Sequence, residues 1–263
     1  MNELIVILDF GSQYTQLIAR RLRELNVYCE IYPYNKFPQR ENIKAVILSG
    51  SPFSVLDDNA LDIDLANIIG KYPLLGICYG AQLISHKLGG EVLKSDNREY
   101  GKAIMSVTEA DRIFESVDPA TQVWMSHGDS ITKVPQNFEI IARTSEIVAA
   151  YRSQPDIFEY PVYCFQFHPE VTHSIQGKEI LYNFVHEVAG CHCDWTPASM
   201  IHETVERLKS ELGTEHVLMG LSGGVDSTVA AFLIHQAIGA RLHCVFIDNG
   251  LLRKNEFEDV LGS

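Results

Sequence analysis

A cysteine between two glycines is the residue of this sequence best suited to act as a nucleophile. Gly76, Cys78 and Gly80 follow a short apolar run and precede an amphipathic segment, a pattern that predicts a sharp turn from a strand into a helix. It is the pattern of a nucleophile elbow with cysteine in place of serine, and glycine removes side chains that would collide in the turn. The start of a helix also favours a thiolate over a thiol. A buried structural cysteine is the alternative, and the flanking glycines argue against it.

A histidine and a glutamate near the end of a later apolar run could complete the proton chemistry. His168 and Glu170 lie in the string Phe-Gln-Phe-His-Pro-Glu at residues 165–170. Because loops at the carboxyl ends of parallel strands meet at one edge of a sheet, we expect His168 to approach Cys78. His168 can then accept the thiol proton, protonate a leaving group and activate water, while Glu170 holds its other ring nitrogen. A packed structural histidine is the alternative for His168 alone, but the combined motifs predict a catalytic triad.

These two motifs resemble those of the triad-type (class I) glutamine amidotransferases. The resemblance rests on the string Gly-Ile-Cys-Tyr-Gly-Ala-Gln at residues 76–82 and on Phe-His-Pro-Glu at residues 167–170, and it covers residues 4–189. It implies that Cys78 attacks the side-chain carboxamide of glutamine, that ammonia leaves, and that water hydrolyses a glutamyl thioester.

The same resemblance implies an oxyanion hole made of backbone N–H groups. One donor would be Tyr79, and the other would lie in the loop of residues 49–52, where Gly50 and Ser51 are the candidates. The family usually has Gly-Gly-Pro where this chain has Gly-Ser-Pro. A serine can serve there because the donor is the main chain, and each donor could contribute about 3 kcal/mol to transition-state stabilisation. Which amide of the loop points inward is left open by the sequence.

Recognition of glutamine is implied for two further segments. The resemblance assigns it to Gln82, in the helix after the elbow, and to Ser126, His127 and Asp129. The alternative for Gln82 is a solvated helix position. For residues 126–129 it is a simple β-turn.

A second motif lies late in the chain, between a predicted strand and a predicted helix. Its residues are Ser222, Gly223, Gly224, Val225, Asp226, Ser227 and Thr228. The glycines let the backbone curl around an anion, and the helix N-terminus adds positive potential. It lacks the Gly-Lys-Ser/Thr of a Walker A loop, and an ordinary glycine-rich turn is the alternative. The string resembles the loop with which ATP pyrophosphatases hold pyrophosphate, which implies ATP with its Mg²⁺ and a role for Asp226 in placing that ion.

The two motifs in succession resemble the family of glutamine-hydrolysing GMP synthetases over essentially the whole chain. Residues 8–15, 124–129 and 246–253 carry the same likeness. It implies that ATP adenylates XMP and that ammonia displaces AMP to give GMP. It also implies a homodimer formed through a C-terminal XMP-binding domain that has no counterpart here. On this hypothesis the chain is an N-terminal fragment that retains at most glutaminase activity.

Two other functions stay open at this point. One is the amidotransferase of a different glutamine-dependent ligase, against which the loop of residues 222–228 argues. The other is a non-catalytic regulator that binds glutamine or a nucleotide, against which the intact triad argues.

The elements that must position these motifs are predicted by alternating apolar and amphipathic segments. This alternation predicts an α/β fold with a mostly parallel sheet flanked by helices, to which antiparallel strands are added after about residue 90. Strands are expected at residues 4–8, 27–32, 45–48, 73–77, 104–107, 122–125, 139–142 and 162–167. Helices are expected at residues 12–25, 61–69, 80–88 and 178–188.

The expected domains are a glutamine amidotransferase domain at residues 1–190, a linker at 191–197, and the first part of an ATP pyrophosphatase domain at 198–263. The last is expected to contain helices at residues 200–212 and 226–238 and strands at 217–221 and 242–247. Two strands do not close a nucleotide-binding sheet, so this domain is expected to be incomplete.

Composition and charge indicate which kinds of molecule the protein is expected to bind. The chain has 263 residues and a formal net charge of −13, with no basic stripe, so we expect no nucleic-acid partner. It shows no signal peptide and no apolar run long enough to span a bilayer, so we expect no membrane partner. The six cysteines are dispersed, which predicts a reduced, cytoplasmic protein. Cys191 and Cys193 flank a histidine, but without a second pair they predict a linker rather than a metal site.

Overall fold

The computed structural model describes residues 3–145 and 147–246, and only the backbone of residues 95–99. The described chain forms two compact units, with the boundary between Trp195 and Thr196. Each unit is built around its own sheet. No helix of the described residues has the length and apolar character that crossing a membrane requires.

The described part of the first unit contains a nine-stranded sheet. In chain order its strands are β1 (Leu4–Asp9), β2 (Cys29–Pro33), β3 (Ile43–Leu48), β4 (Leu74–Ile77), β5 (Glu91–Val107), β6 (Ala120–Lys133), β7 (Phe138–Arg143), β8 (Val148–Ser153) and β9 (Val162–Phe165). Their order in space is β2-β1-β3-β4-β9-β8-β7-β5-β6. The first five strands in that order are parallel, and each later pairing is antiparallel. The predicted mostly parallel sheet with added antiparallel strands is therefore confirmed.

Helices cover both faces of the parallel strands. They are α1 (Thr15–Glu24), α2 (Tyr79–Lys87) and α3 (Gly177–Asn183), and α3 continues into a π-helical turn at Phe184–Val188. Side chains alternate between the two faces of a strand. In β1, Ile5 and Ile7 accordingly join the core shared with α1 and α3, whereas Leu4, Val6 and Leu8 join the core shared with α2.

The register of the parallel strands brings their carboxyl ends to one edge. Leu48 of β3 pairs with Leu8 of β1 and with Gly76 of β4, and Ile77 of β4 pairs with Phe165 of β9. The loops that leave these strands therefore start close together, which is where ligands bind in open α/β sheets.

Four elements differ clearly from the sequence prediction. The helix expected at residues 61–69 is only a 3₁₀ turn at Leu65–Asn67, since Asp64 caps Ala66 N and Asp62 bonds Ile63 N, and such local bonds compete with a helix. β8 was not predicted. β5 and β6 are much longer than expected because they pair with each other through polar residues that show no apolar pattern.

The second unit has α4 (Pro197–Leu212), β10 (Val217–Leu221), α5 (Val225–Ile238) and β11 (Leu242–Phe246) in its described part. β10 and β11 pair in parallel. α4 begins with a capping box between Thr196 and Ser199 and with proline as its first residue, which is a favourable helix start. The end of the strand expected at residues 242–247, and nearly all of residues 246–253, lie outside the described residues.

Candidate active site

Cys78 alone makes the turn between β4 and α2. Its φ is 51° and its ψ is −104°, a combination that residues other than glycine rarely adopt. Two hydrogen bonds hold this conformation, from Cys78 N to Phe165 O at 2.7 Å and from Gln82 N to Cys78 O at 3.0 Å. The cysteine is therefore held in a strained turn at the first residue before a helix.

The two glycines flanking Cys78 are required by close backbone contacts. A Cβ at Gly76 would lie 2.8 Å from Ala81 N, and one at Gly80 would lie 2.6 Å from Leu48 O. Both contacts are with main-chain atoms that cannot move aside. Alanine at Gly76 would therefore push the start of α2 away from β4, and alanine at Gly80 would push it away from β3.

His168 and Glu170 form a buried pair beyond the end of β9. Nδ1 of His168 lies 2.7 Å from Oε1 of Glu170, and both residues are at most 2% exposed. Burial by itself lowers the pKa of His168, but the Glu170 carboxylate and Cys78 outweigh it and raise that pKa well above its ordinary value. Since a carboxylate only accepts hydrogen bonds, Nδ1 carries a proton and Nε2 is left for the cavity.

The structure brings Cys78 and His168 to the same edge of the sheet. A Cβ built at Gly50 would lie 3.2 Å from Cε1 of His168 and 3.6 Å from Cβ of Cys78. Sγ of Cys78 also lies 3.7 Å from Ser126 O. The ring of Tyr14 packs edge-on against the imidazole, with centroids 4.9 Å apart.

The loop after β3 has a defined peptide orientation. Oγ of Ser49 accepts from Phe10 N at 3.0 Å and donates to Gly50 O at 2.9 Å. The peptide bond between Gly50 and Ser51 is trans, so the N–H of Ser51 points in the direction opposite to the Gly50 carbonyl. Ser51 has no positive φ, and its hydroxyl accepts from Phe53 N at 3.2 Å. Serine therefore fits this position without strain.

A cavity of ≈ 640 Å³ opens in front of Cys78 and His168. Gln82, Ser126, His127 and Asp129, which the resemblance assigned to glutamine recognition, line it. Gln82 is buried and not a solvated helix position, and its Nε2 donates to Asp129 O at 2.9 Å. The three β6 residues lie within a long strand, not in a β-turn.

Several residues that line this cavity were not predicted to belong to the site. They are Gly11, Ser12, Gln13, Tyr14, Pro52, Phe53, Ser54, Lys94, Tyr100 and Gly128. Ser54 donates its hydroxyl to the carboxylate of Asp129. Residues 12–14 follow the carboxyl end of β1, so the rule for strand ends could have indicated them. Tyr100 of β5 depends on long-range pairing and carries no local signal.

The glycine-rich loop of the second unit joins β10 to α5. Gly223 has a φ of 74°, and Oγ of Ser222 lies 3.1 Å from Oγ of Ser227. Ser227 and Thr228 each donate a side-chain hydroxyl to Gly224 O at 3.0 Å. Val225, the first residue of α5, is 78% exposed. The loop thus presents the N-terminus of a 14-residue helix, whose first N–H groups have no partner within the helix.

No group of three or more potential metal ligands occurs in the part of the chain that the structure describes. This includes the neighbourhood of Cys191 and Cys193, both of which are free thiols.

The fold and the site define a class of protein. The family model described as glutamine amidotransferase class-I matches residues 6–188, and the one described as NAD synthase matches residues 198–260. The first match covers most of the chain. The chain belongs to the class-I glutamine amidotransferase family.

Its curated relatives narrow the assignment. It is 59% identical over 266 residues to GMP synthase (glutamine-hydrolyzing) of Cytophaga hutchinsonii, covering 100% of this chain and 52% of the relative. The corresponding protein of Bacteroides fragilis is 55% identical over 264 residues, covering 99% and 51%. The resemblance to the GMP synthetase family is confirmed, and the chain spans about half the length of these relatives.

Solved structures support the fold of the first unit. A putative GMP synthase subunit from Thermoplasma acidophilum matches with a TM-score of 0.62 and 32% identity, covering 72% of this chain and 94% of that one. A glutamine amidotransferase from Thermotoga maritima matches with a TM-score of 0.58 and 15% identity, covering 72% and 99%. The second likeness shows the fold alone.

Proposed function

We propose that the first unit hydrolyses glutamine to glutamate and ammonia, with Cys78 as nucleophile, His168 as proton carrier and Glu170 as its partner. The observation that carries this proposal is the buried pair of His168 and Glu170, 2.7 Å apart, at the edge where Cys78 forms the elbow. A strained nucleophile, a base within reach and a carboxylate that orients the base are the parts that acyl transfer requires.

The proposed steps balance protons at His168. The thiol proton of Cys78 passes to Nε2 of His168, which the raised pKa of that ring favours, and the sulfur attacks the carboxamide carbon. That proton goes to the leaving nitrogen as the C–N bond breaks, so ammonia departs and a thioester remains. Water then gives a proton to His168 and attacks the thioester, the C–S bond breaks to release glutamate, and His168 returns the proton to the sulfur, which restores the thiol. Glu170 holds Nδ1 throughout.

The developing oxyanion would be bound by the N–H groups of Tyr79 and Ser51. Tyr79 is the first residue of α2, so its N–H has no partner within the helix. Between the two loop candidates, the geometry favours Ser51 over Gly50, because Gly50 O is bonded to Ser49 and the next N–H points the other way.

The α-amino end of glutamine would be recognised by the β6 residues and by Gln82. Asp129 offers a carboxylate to the ammonium group and is 7% exposed. Burial lowers the pKa of His127 to about 4, so this side chain is neutral at neutral pH and does not repel an ammonium ion. The side-chain amide of Gln82 holds Asp129 in place by donating a hydrogen bond to the backbone carbonyl of Asp129.

For a protein of the relatives' length, we propose that the ammonia aminates XMP to GMP with ATP. The relatives' names and the match to the NAD synthase family support this. The loop of residues 222–228 suits a pyrophosphate, because two glycines and three hydroxyls surround a helix N-terminus. Mg²⁺ would be held chiefly by the phosphates, with Asp226 at the helix start. A homodimer and a cytoplasmic setting are part of the same proposal, the latter supported by six free thiols.

The glutaminase step is tested by incubating the protein with glutamine and measuring ammonia and glutamate. We expect turnover that Cys78→Ala abolishes, and covalent labelling of Cys78 by an electrophilic glutamine analogue. Folded protein that neither turns over nor labels would support a binding-only function instead. Adding XMP, ATP and Mg²⁺ tests the second step, and GMP formation by these 263 residues alone would refute the expectation that the second domain is incomplete.

A further inference from the structure

The backbone of His168 does not belong to a strand. β9 ends at Phe165, three residues before the imidazole. The main-chain position of His168 is set instead by β6, because His168 N donates to Trp124 O at 3.0 Å. One hydrogen bond leaves the peptide free to rotate about it, so a second contact is needed to hold the ring.

Ser174 supplies that second contact. Its Oγ donates to His168 O at 2.6 Å and accepts from Trp124 N at 3.0 Å. With the bond from His168 N to Trp124 O, these form a closed ring of three hydrogen bonds. The N–H of His168 thus bonds β6 directly, and the carbonyl of His168 is linked to β6 through the hydroxyl of Ser174.

Ser174 is itself held rigidly and out of reach of the substrate. It is 4% exposed, Ser174 N donates to Val171 O at 3.1 Å, and Ile175 N donates to Gln122 O at 3.0 Å. It does not line the cavity in front of Cys78. Any effect it has on catalysis must therefore pass through the groups its hydroxyl bonds, the carbonyl of His168 and the N–H of Trp124.

We propose that Ser174 is a positioning residue that holds His168 in the orientation from which it reaches both Cys78 and Glu170. This rests on the proposed glutaminase function. A displacement of about 1 Å at a reacting group can cost about 100-fold in rate. Loss of the hydroxyl also leaves the buried carbonyl of His168 and the part-buried N–H of Trp124 without this partner, so the segment relaxes to satisfy them.

The matched variants are Ser174→Val and Ser174→Thr, which have similar volume and branching and differ by the hydroxyl. We expect Ser174→Val to lower kcat for glutamine about 10- to 100-fold with little change in KM, and Ser174→Thr to restore most of the activity. Ser130→Ala is the control, since Ser130 is likewise a buried serine, and its hydroxyl has no hydrogen-bond partner among the described residues.

A second readout does not depend on turnover. The rate at which iodoacetamide alkylates Cys78 is measured against pH in each variant, with circular dichroism as a check on folding. We expect the rise in rate to move to higher pH in Ser174→Val and to return in Ser174→Thr. Equal kcat and equal pH profiles for Ser174→Val and wild type would overturn the proposal, as would equal impairment of the Val and Thr variants. If the wild type releases no ammonia, the proposed function fails, but the alkylation profiles still decide the role of Ser174.

Discussion

Two buried histidines line the same cavity, and their surroundings shift their pKa values in opposite directions. Burial lowers the pKa of His127 to about 4, and the backbone of Asp129 offsets only part of that effect. Burial acts on His168 in the same sense, but Glu170 and Cys78 raise its pKa well above the ordinary value. The difference follows from the neighbours, because the carboxylate of Glu170 bonds the ring of His168. One histidine can thus carry a proton while the other stays neutral.

His127 should make the protein acid-labile. An unfolded histidine has a pKa of about 6.5, so between that value and about 4 the unfolded chain binds more protons than the folded one. The free energy of unfolding therefore falls as the pH drops through this window, by about 3 kcal/mol at its acid end. Below about pH 5.5 His168 is protonated in both states and adds no slope, whereas between about pH 5.5 and 7 its raised pKa makes the free energy of unfolding fall as the pH rises.

Urea unfolding at a series of pH values between 4 and 7 measures this effect. We expect His127→Gln to flatten the pH dependence of the unfolding free energy. His86→Gln removes an exposed histidine of the same unit and should leave the slope as in wild type. Parallel slopes for wild type and His127→Gln would contradict the assignment.

At the scale of elements, the site is assembled by contacts that reach it from outside the motifs. β6 supports the segment after β9 through Trp124, and α1 supports it through Arg21, whose Nε donates to Glu170 O at 3.0 Å. The loop after β1 contributes Tyr14 against the ring of His168. Three separate elements therefore hold the segment that carries His168 and Glu170, the residues proposed to be catalytic, although this segment lies beyond the end of β9.

Arg21 allows a test of the helix contribution with a built-in control. Arg20 and Arg21 both pair with Glu24, at 2.9 and 2.7 Å, but only Arg21 also reaches Glu170 O. Without this bond the backbone of Glu170 can shift, and a displacement of about 1 Å at a reacting group can cost about 100-fold in rate, so we expect Arg21→Ala to lower kcat for glutamine about tenfold. Arg20→Ala should retain wild-type kcat. Steady-state kinetics would count against this role of α1 if the two variants behaved alike.

At the scale of the whole molecule, the two units differ in how well their described residues bury apolar side chains. The first unit has two extensive cores, one on each face of its sheet. In the second, Leu218, Val225 and Phe232 are 75%, 78% and 57% exposed. Exposed apolar surface of this kind is usual where further chain packs, and the chain spans about half the length of its curated relatives.

The first unit should therefore fold without the second. Its last residue, Trp195, is 6% exposed, and Trp195 N donates to Asn26 O at 2.9 Å. We expect a protein ending at residue 195 to keep glutaminase activity and to melt within about 4 °C of the full chain. A protein ending at residue 190 loses the buried side chains of Cys191 and Trp195 and should melt at lower temperature. Calorimetry that shows the reverse order would place the end of the first unit elsewhere.

Much of the fold was predictable from local patterns. Neighbouring residues alone specify the apolar runs of β1, β3, β4 and β9 and the helical periodicity of α1 and α2. The helix expected at residues 61–69 failed because acidic side chains bond the backbone locally, and β8 was missed because its run is short and rich in alanine. The length of β5 and β6 depends on their antiparallel pairing with each other, which no local sequence pattern specifies.

For the site, the sequence by itself determined which residue types are available and which turns they require. The glycines around Cys78 and the spacing of His168 and Glu170 are local features, which neighbouring residues specify on their own. Only the tertiary structure decided that Cys78 and His168 meet beside Gly50, that Ser51 N–H turns away from the Ser49 bond, and that Ser174 ties His168 to β6. Most of these contacts join residues far apart in the chain, and they exist only once the sheet has aligned its strands.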